Sequence, residues 1–162
     1  MPVISSERDL ESCTLTITAE FAAARDRVWQ LWADPRQLER WWGPPGYPAT
    51  VQEHDLTPGG LVTYFMTTPE GDRHAGYWRI VTVDAPVALE FDSGFADPSG
   101  APNDAMPVTR IEVTLAEPVG GGTEMTITSR FSSPGDMERL MEMGTEEGMK
   151  EALGQTDGIL AG

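Results

Sequence analysis

The spacing of apolar residues changes along the chain and separates predicted strands from predicted helices. From Ser12 to Phe21 apolar residues alternate with polar ones, a period of two that predicts a half-buried strand. From Ala23 to Ala33 the apolar residues recur three and four positions apart, which predicts a helix with one apolar face. Asp34 then suits an N-cap with Pro35 in the first turn, so a second short helix is predicted to end near Trp41.

The middle of the chain has the short apolar segments and the Gly- and Pro-rich turns of an antiparallel sheet. The gaps suit hairpins and are too short for helical crossovers. Six strands are predicted here, over residues 49–56, 61–68, 73–83, 87–93, 108–115 and 123–131. Residues 92–107 break this rhythm, and a long loop in a compact domain is more often functional or mobile than accidental.

The C-terminal segment returns to the spacing of a helix. Ser133 suits an N-cap and Pro134 fits the first turn. One face of a single long helix is predicted to carry Met137, Met141, Gly144, Gly148, Ala152, Gln155 and Ile159. Because each glycine disfavours a helix by about 1 kcal/mol relative to alanine, packing against the sheet must hold this helix, and a bend is expected near Gly144.

This order of elements predicts an α+β fold. Consecutive strands with helices grouped at the ends favour an antiparallel sheet, and the apolar face of a helix needs a sheet to cover it. We therefore expect a curved antiparallel sheet of about seven strands, in the order β-α-α-β6-α, that grips the long C-terminal helix. Residues 1–10 are polar and are expected to form a flexible tail, and residues 11–162 are expected to form a single domain.

The composition is that of a strongly acidic globular protein. Acidic residues outnumber basic ones 26 to 11 among 162 residues, which gives a net charge of −15. This charge argues against nucleic acid and anionic membranes as partners and leaves a basic protein partner open. The sequence shows no secretory signal and no apolar run near the roughly 20 residues that span a bilayer, so a cytoplasmic location without membrane insertion is expected. The single cysteine, Cys13, is expected to be buried in the first strand.

Several short motifs resemble those of a known family. They are Val28-Trp29 with Trp32, Asp34-Pro35, Trp41-Trp42-Gly43-Pro44, Pro58-Gly59-Gly60, Pro69-Glu70-Gly71 and Gly148 to Leu153. Together with the order of elements, they resemble the START-like, helix-grip superfamily (SRPBCC), which includes the birch-pollen allergen and polyketide cyclases. Within it, the chain looks like the family related to the C-terminal domain of the heat-shock-protein ATPase activator. The resemblance implies a hollow between sheet and C-terminal helix that holds hydrophobic ligands in many relatives, and it implies no single reaction.

The same spacing predicts which side chains would face that hollow. Aromatic and methionine side chains on alternate strand positions would form one wall, and helix positions with small or flexible side chains would form the other. We expect the ligand to contact Trp42, Tyr64, Met66, His74, Trp78, Phe91, Met141, Gly144 and Gly148. The alternative is a close-packed core in which the glycines admit Trp78.

Candidate chemistry is sparse in this sequence. It has no catalytic-triad spacing, zinc motif, phosphate loop or dinucleotide fingerprint, so no cofactor and no metal is expected. His74 beside Tyr64 is the best candidate for a general base, although a surface histidine is the simpler interpretation. Phe95 and Met106 are candidates for a lid on the long acidic loop, and a solvated loop is the alternative.

Binding of a small hydrophobic or amphipathic molecule is therefore the leading hypothesis, with no catalytic residue assigned. A cyclase- or hydrolase-type enzyme that uses the same cavity is one alternative. A regulator of a chaperone ATPase, with the chaperone as protein partner, is the other. The sequence makes no prediction about the oligomeric state.

Overall fold

The computed structural model describes residues 3–97 and 99–161 and shows an α+β fold with one antiparallel sheet. Its strands are β1 (Val3–Asp9), β2 (Thr14–Phe21), β3 (Ala49–His54), β4 (Leu61–Thr67), β5 (Arg73–Asp84), β6 (Ala88–Ala96), β7 (Thr109–Ala116) and β8 (Thr123–Arg130). Its helices are α1 (Arg25–Ala33), α2 (Pro35–Trp41), α3 (Pro134–Glu142), α4 (Thr145–Leu153) and α5 (Thr156–Ala161). The sheet order is β1-β2-β8-β7-β6-β5-β4-β3, which confirms the predicted fold class with eight strands where about seven were expected.

The additional strand is β1, and it shows that the prediction of a flexible N-terminal tail is wrong for residues 3–9. This edge strand pairs with β2, and Ser6 lies opposite the buried Ile17. Ser6 Oγ donates to the Glu146 carboxylate of α4, and Arg8 Nε donates to the same carboxylate at 2.6 Å. Because these side chains bind a distant carboxylate instead of entering the apolar core, the strand lacks the usual apolar alternation. Residues 1 and 2 lie outside the described part of the chain.

Cys13 also differs from its prediction. It adopts φ of 56° in the turn between β1 and β2, and the strand begins one residue later. Its side chain is half-buried, with Sγ 3.8 Å from the Leu10 carbonyl oxygen. Cys13 is therefore a turn residue and not a buried strand residue.

The two short helices begin and end close to their predicted bounds. The Asp34 carboxylate caps α2, accepting from the Arg36 backbone N–H at 2.9 Å and from Gln37 Nε2 at 3.0 Å. The Gln37 side chain and then the Arg36 N–H hold the pKa of Asp34 below its ordinary value. Beyond α2, Gln155 Nε2 donates to the Gly43 carbonyl oxygen at 2.7 Å. This bond joins the Trp-Gly-Pro segment to the C-terminal helices.

The hydrophobic core lies between the inner face of the curved sheet and the helices. Trp32 of α1 is fully buried, and its ring lies 4.9 to 6.2 Å from four other aromatic rings, measured between centroids: those of Trp41, Trp42, Trp78 and Phe91. Aromatic pairs of this kind contribute about 0.5–1.5 kcal/mol each beyond the burial of their surface. Trp32 of α1 and Trp41 of α2 therefore help to hold these two helices against the sheet.

The C-terminal helix is interrupted twice and forms the segments α3, α4 and α5. Ser133 caps α3 as predicted, because its Oγ accepts from the Asp136 backbone N–H at 3.1 Å. Gly144 has φ of 88°, a left-handed conformation that breaks the helix where the bend was expected. No helix within residues 3–97 and 99–161 is long and apolar enough to cross a membrane.

Candidate functional site

A cavity of about 120 Å³ lies between the inner face of the sheet and the C-terminal helices. Strands β4, β6, β7 and β8 provide one wall, and α3, α4 and the residue after α2 provide the other. The wall is mainly apolar, with hydroxyl groups as its polar members. Its side chains are those of Trp42, Tyr64, Ser93, Phe95, Thr109, Ile111, Ser129, Phe131, Leu140, Thr145 and Met149.

The volume of this cavity limits what it can hold. An apolar cavity of about 150 Å³ accommodates benzene, whereas drug-sized ligands occupy roughly 300–1,000 Å³. The cavity as it stands therefore fits a guest of about one small ring. A larger guest would require its wall to move.

Tyr64 supplies a hydroxyl group to the cavity wall. Its side chain is 9% exposed, and its ring lies across Gly76 of β5, which leaves the room that the ring occupies. Burial raises the pKa of Tyr64 above its ordinary value of 10.0, and the Trp42, Ser93 and Trp78 side chains oppose this rise. Donors near a phenol oxygen favour its charged form, and the rings of Trp42 and Trp78 lie edge to face against the Tyr64 ring, with centroids 6.0 and 6.3 Å from it. The phenol is neutral at physiological pH and can itself donate.

Two of those donors are buried without a completed hydrogen bond. In the described part of the chain, the indole N–H groups of Trp42 and Trp78 have no partner of standard distance and angle. The indoles of two neighbouring tryptophans are satisfied: Trp32 donates to Met125 Sδ at 3.3 Å, and Trp41 donates to a backbone carbonyl oxygen at 2.9 Å. A buried donor without an acceptor costs about 1–3 kcal/mol. The hydroxyl of Tyr64 therefore sits among donors that lack a well-placed acceptor.

The described lining of the cavity carries no charged side chain. The arginines of β7 and β8 lie on the outer face of the sheet, where Arg110 pairs with Asp92 at 2.5 Å and Arg130 pairs with Glu112 at 3.0 Å. Within the described residues, no group of three or more His, Cys, Asp or Glu side chains could hold a metal ion. Tyr64 is the titratable side chain of the described wall.

Two of the nine predicted ligand contacts, Trp42 and Tyr64, line the cavity. Trp78 and Phe91 are fully buried, and their rings stack with centroids 4.1 Å apart and 20° between their planes. They form the core behind the wall. The aromatic side chains pack closely and the cavity lies beside them, but Gly144 and Gly148 do not admit Trp78 as the alternative expected, because no Trp78 atom lies within 4 Å of a Cβ at either glycine.

Met66 and His74 lie outside the cavity. They are opposite each other on β4 and β5, at the end of the paired segment, where Met66 is half-buried and His74 is exposed. Strand alternation correctly predicts their face of the sheet, but the position along the strand decides whether a side chain reaches the cavity. This placement removes His74 as the candidate general base for a reaction in the cavity.

The predicted helical contacts are displaced by about one residue. Met141 is half-buried and lines a separate groove with Arg8 and Leu10. Gly144 is exposed, and Gly148 has Pro44 Cγ as its nearest neighbour, 3.8 Å from where a Cβ would stand. The side chains that reach the cavity are those of Leu140, Thr145 and Met149. For Thr145 and Met149, the cause is the left-handed residue Gly144 before α4, which changes the helical phase after α3.

The hydroxyl residues of the sheet wall are not among the predicted ligand contacts. Ser93 of β6 is opposite Thr109 of β7, and Ser129 of β8 is opposite Ile111. All three hydroxyl residues occupy inward positions on strands whose other inward residues are mainly large and apolar. Small polar residues at inward positions within two residues of one level on three adjacent strands are a signal that could have located the cavity.

The loop after β6 contacts both the sheet and α3. The Asp97 carboxylate accepts from the backbone N–H groups of Ser99 at 2.9 Å and Ala101 at 3.2 Å. Phe95 lines the cavity from the end of β6, and Met106 Sδ accepts from Arg139 Nη2 of α3 at 3.1 Å. These contacts place both lid candidates near the cavity and α3, and the lid stays a prediction.

A larger groove of about 640 Å³ lies outside the core, between β1 and α4. Its lining includes Ile4, Pro45, Lys150 and Gln155, and it is open to solvent. An apolar guest gains most when it leaves water completely. The inner cavity is therefore the better candidate site for an apolar ligand.

Comparison with known proteins identifies close structural relatives. A family model described as Activator of Hsp90 ATPase homolog 1-like protein matches residues 22–161. The crystal structure of protein Ms6760 from Mycobacterium smegmatis is 49% identical, with a TM-score of 0.90, over 98% of this chain and 97% of that chain. The solution structure of a protein from Arthrobacter aurescens is 50% identical, with a TM-score of 0.93, over 98% and 92%. A search of curated proteins found no match.

Proposed function

Because this chain belongs to the family of Activator of Hsp90 ATPase homolog 1-like proteins, we propose that it binds a small, mainly apolar molecule in the inner cavity. The observation that carries this proposal is a cavity with a mainly apolar wall and no charged lining among the described residues. Concave apolar sites with a few polar groups are the usual form of small-molecule sites. Their apolar area supplies affinity, and their polar groups supply orientation.

The size of the cavity also supports the proposal. A space of 120 Å³ that core side chains leave unfilled costs up to about 3 kcal/mol, at roughly 24 cal/mol per Å³. Larger apolar side chains at Ser93, Thr109 or Ser129 would recover part of that energy. The small hydroxyl residues at all three positions leave a space that the stability of the fold does not require.

Titration with methylenecyclohexane, a compact uncharged hydrocarbon, tests this proposal. We expect saturable changes in the amide NMR signals of the cavity wall. Ser129→Leu should fill the cavity and abolish these changes, because Ser129 faces inward and is 6% exposed. Thr128→Leu is the matched control, since Thr128 precedes it on β8 and faces the opposite side of the sheet.

Circular dichroism must first show that both variants are folded. If the wild-type protein gives no saturable changes, or if Ser129→Leu binds the hydrocarbon as the control does, the cavity is not the binding site. If Ser129→Leu alone loses binding, the proposal stands.

A second candidate function is association with a chaperone, which the description of the family favours. The net charge of −15 would attract a basic surface on such a partner. Pull-down of the purified chaperone at low and at physiological salt tests this candidate, because salt screens exposed charges. Failure to retain the chaperone at either salt concentration would dismiss it.

A further inference from the structure

We propose that the inner cavity selects a neutral molecule that carries a hydrogen-bond acceptor, such as a carbonyl oxygen, and that this acceptor binds beside Tyr64. The inference rests on the proposed function, because the same cavity would hold the apolar part of the ligand. It names the chemical class of that ligand. The observation behind it is the pair of buried indole N–H groups without a partner.

The two unpartnered donors belong to different elements, and both of their rings pack against Tyr64. Trp42 follows α2 and is 7% exposed, whereas Trp78 lies on β5 and is fully buried. Their indole rings contact each other edge to face, with centroids 4.8 Å apart, and both rings also lie edge to face against the Tyr64 ring, with centroids 6.0 and 6.3 Å from it. Nearly all buried polar side-chain atoms in proteins are hydrogen-bonded. Two exceptions beside one hydroxyl indicate a missing acceptor there.

The third unpartnered atom in the described residues has a simpler explanation. It is Nε of Arg25, whose guanidinium pairs with Glu117 through Nη2 at 2.9 Å. This charged group already has its counterion at the protein surface. It therefore gives no reason to place a ligand at the start of α1.

An acceptor oxygen fits this group of donors better than the phenol does alone. The Tyr64 hydroxyl is fixed by its ring across Gly76, and neither indole completes a hydrogen bond to it. A carbonyl oxygen has two lone pairs and can accept from two donors at once. Beside Tyr64, the available donors are an indole N–H, the phenol O–H and the hydroxyl of Ser93.

The electrostatics of the cavity select a neutral acceptor over an anion. The described lining contains no Lys, Arg or His side chain that could compensate a buried carboxylate. The net charge of −15 makes the approach of an anion still less favourable. An uncompensated buried charge is far more costly than a buried carbonyl group that receives hydrogen bonds.

Three probes of similar shape test the inference on the wild-type protein. They are cyclohexanone, the hydrocarbon methylenecyclohexane and the anion cyclohexanecarboxylate. We expect cyclohexanone to bind about tenfold more tightly than the hydrocarbon, as one additional net hydrogen bond provides, and the anion to bind more weakly than either. In ¹H–¹⁵N spectra, cyclohexanone should move the indole N–H signal of Trp42 or Trp78 downfield. The partnered indoles of Trp32 and Trp41 are internal controls and should not move.

The outcomes separate this inference from the proposed function. Equal affinity for ketone and hydrocarbon, without movement of the Trp42 and Trp78 signals, overturns the acceptor site and leaves apolar binding intact. Binding of the anion as tightly as the ketone overturns the selection of a neutral molecule. Absence of binding by all three probes overturns both proposals.

A pair of variants tests the donor directly. Trp42→Phe removes one unpartnered N–H and should reduce the ratio of ketone to hydrocarbon affinity severalfold. The ratio is used because the change in cavity size affects the binding of both probes. Tyr77→Phe is the control, because Tyr77 lies on the outer face of β5 beside Gly94. It should leave the ratio unchanged. A ratio unaffected by Trp42→Phe, together with unmoved indole signals in the wild-type protein, contradicts the acceptor site.

Discussion

Tyr64 lies opposite Gly76 across β4 and β5, and a Cβ at the glycine would stand 2.6 Å from Cζ of the tyrosine ring. The outer face carries a similar pair, because Tyr77 of β5 lies opposite Gly94 of β6, also with 2.6 Å from a Cβ to Cζ. The two pairs differ in burial. Tyr64 is 9% exposed, whereas Tyr77 is only half-buried.

Gly76→Ala should destabilise the protein more than Gly94→Ala does. The Tyr64 ring is confined by Trp42, with ring centroids 6.0 Å apart, so an added methyl group must displace a packed side chain. Overpacking of this kind costs about 1–3 kcal/mol. Tyr77 can turn toward solvent, so we expect a loss below about 1 kcal/mol for Gly94→Ala. Urea unfolding of both variants measures the difference, and equal losses would contradict the confinement of Tyr64.

Glu146→Gln should loosen β1 without unfolding the rest of the sheet. The carboxylate accepts from Ser6 and Arg8, and it is their common partner. Hydrogen bonds to charged groups contribute about 1.5–3 kcal/mol, and we expect the low end because the Arg8 side chain is 51% exposed. Amide hydrogen exchange of residues 3–9 should accelerate. Glu147→Gln is the control, because Glu147 is 71% exposed and pairs with Lys150; equal exchange in the two variants would contradict this role.

The contact between Glu146 and β1 should also weaken in acid. Hydrogen bonding from Ser6, followed by that from Arg8, holds the pKa of Glu146 below its ordinary value of 4.5. A carboxyl group with a lowered folded pKa stabilises the fold above its unfolded pKa, and this contribution is lost as the pH falls through the folded pKa. The difference in unfolding free energy between wild type and Glu146→Gln should therefore be constant above about pH 5 and shrink below pH 4.5. A difference that grows on acidification would contradict the assignment.

Local patterns predict most of the elements because their signals lie within a few residues. The Asp34 and Ser133 caps, the alternation of β2 and the break at Gly144 all follow from neighbours in sequence. β1 is different. Its inward Arg8 is explained only by Glu146, far along the chain, so no local pattern identifies it as part of the sheet.

The cavity wall is harder to predict than the secondary structure. It depends on the position of each residue along its strand and on the rotation of each helix about its axis, and not only on the face that the residue occupies. Inward alternation treats Tyr64 and Met66 alike, although only Tyr64 is close enough to the C-terminal helices to line the cavity. On the helical side, the left-handed residue Gly144 moves the inward positions to Thr145 and Met149. Both errors have one source. The face on which a residue lies follows from its neighbours in sequence, whereas the place where a strand and a helix approach each other depends on residues far apart in sequence.

Replacing Gly148 or Gly144 with alanine should have opposite effects on stability, because the two glycines differ in backbone conformation. Gly148 lies inside α4, and an added Cβ would meet Pro44 Cγ at 3.8 Å, an ordinary contact distance. Gly148→Ala should therefore stabilise the protein by about 0.5–1 kcal/mol, the usual advantage of alanine within a helix. Gly144→Ala should destabilise it by about 1 kcal/mol, because φ of 88° is unfavourable for a residue with a side chain.

Urea unfolding of the two variants measures these effects, and titration with methylenecyclohexane checks the geometry independently. Gly148→Ala should leave the affinity for the hydrocarbon unchanged, since Gly148 packs near Pro44 and not on the cavity wall. Met149→Ala is the contrasting variant, because the Met149 side chain lines the cavity and its removal should change that affinity. A loss of binding in Gly148→Ala with none in Met149→Ala would restore the uninterrupted helical phase and contradict the wall described above.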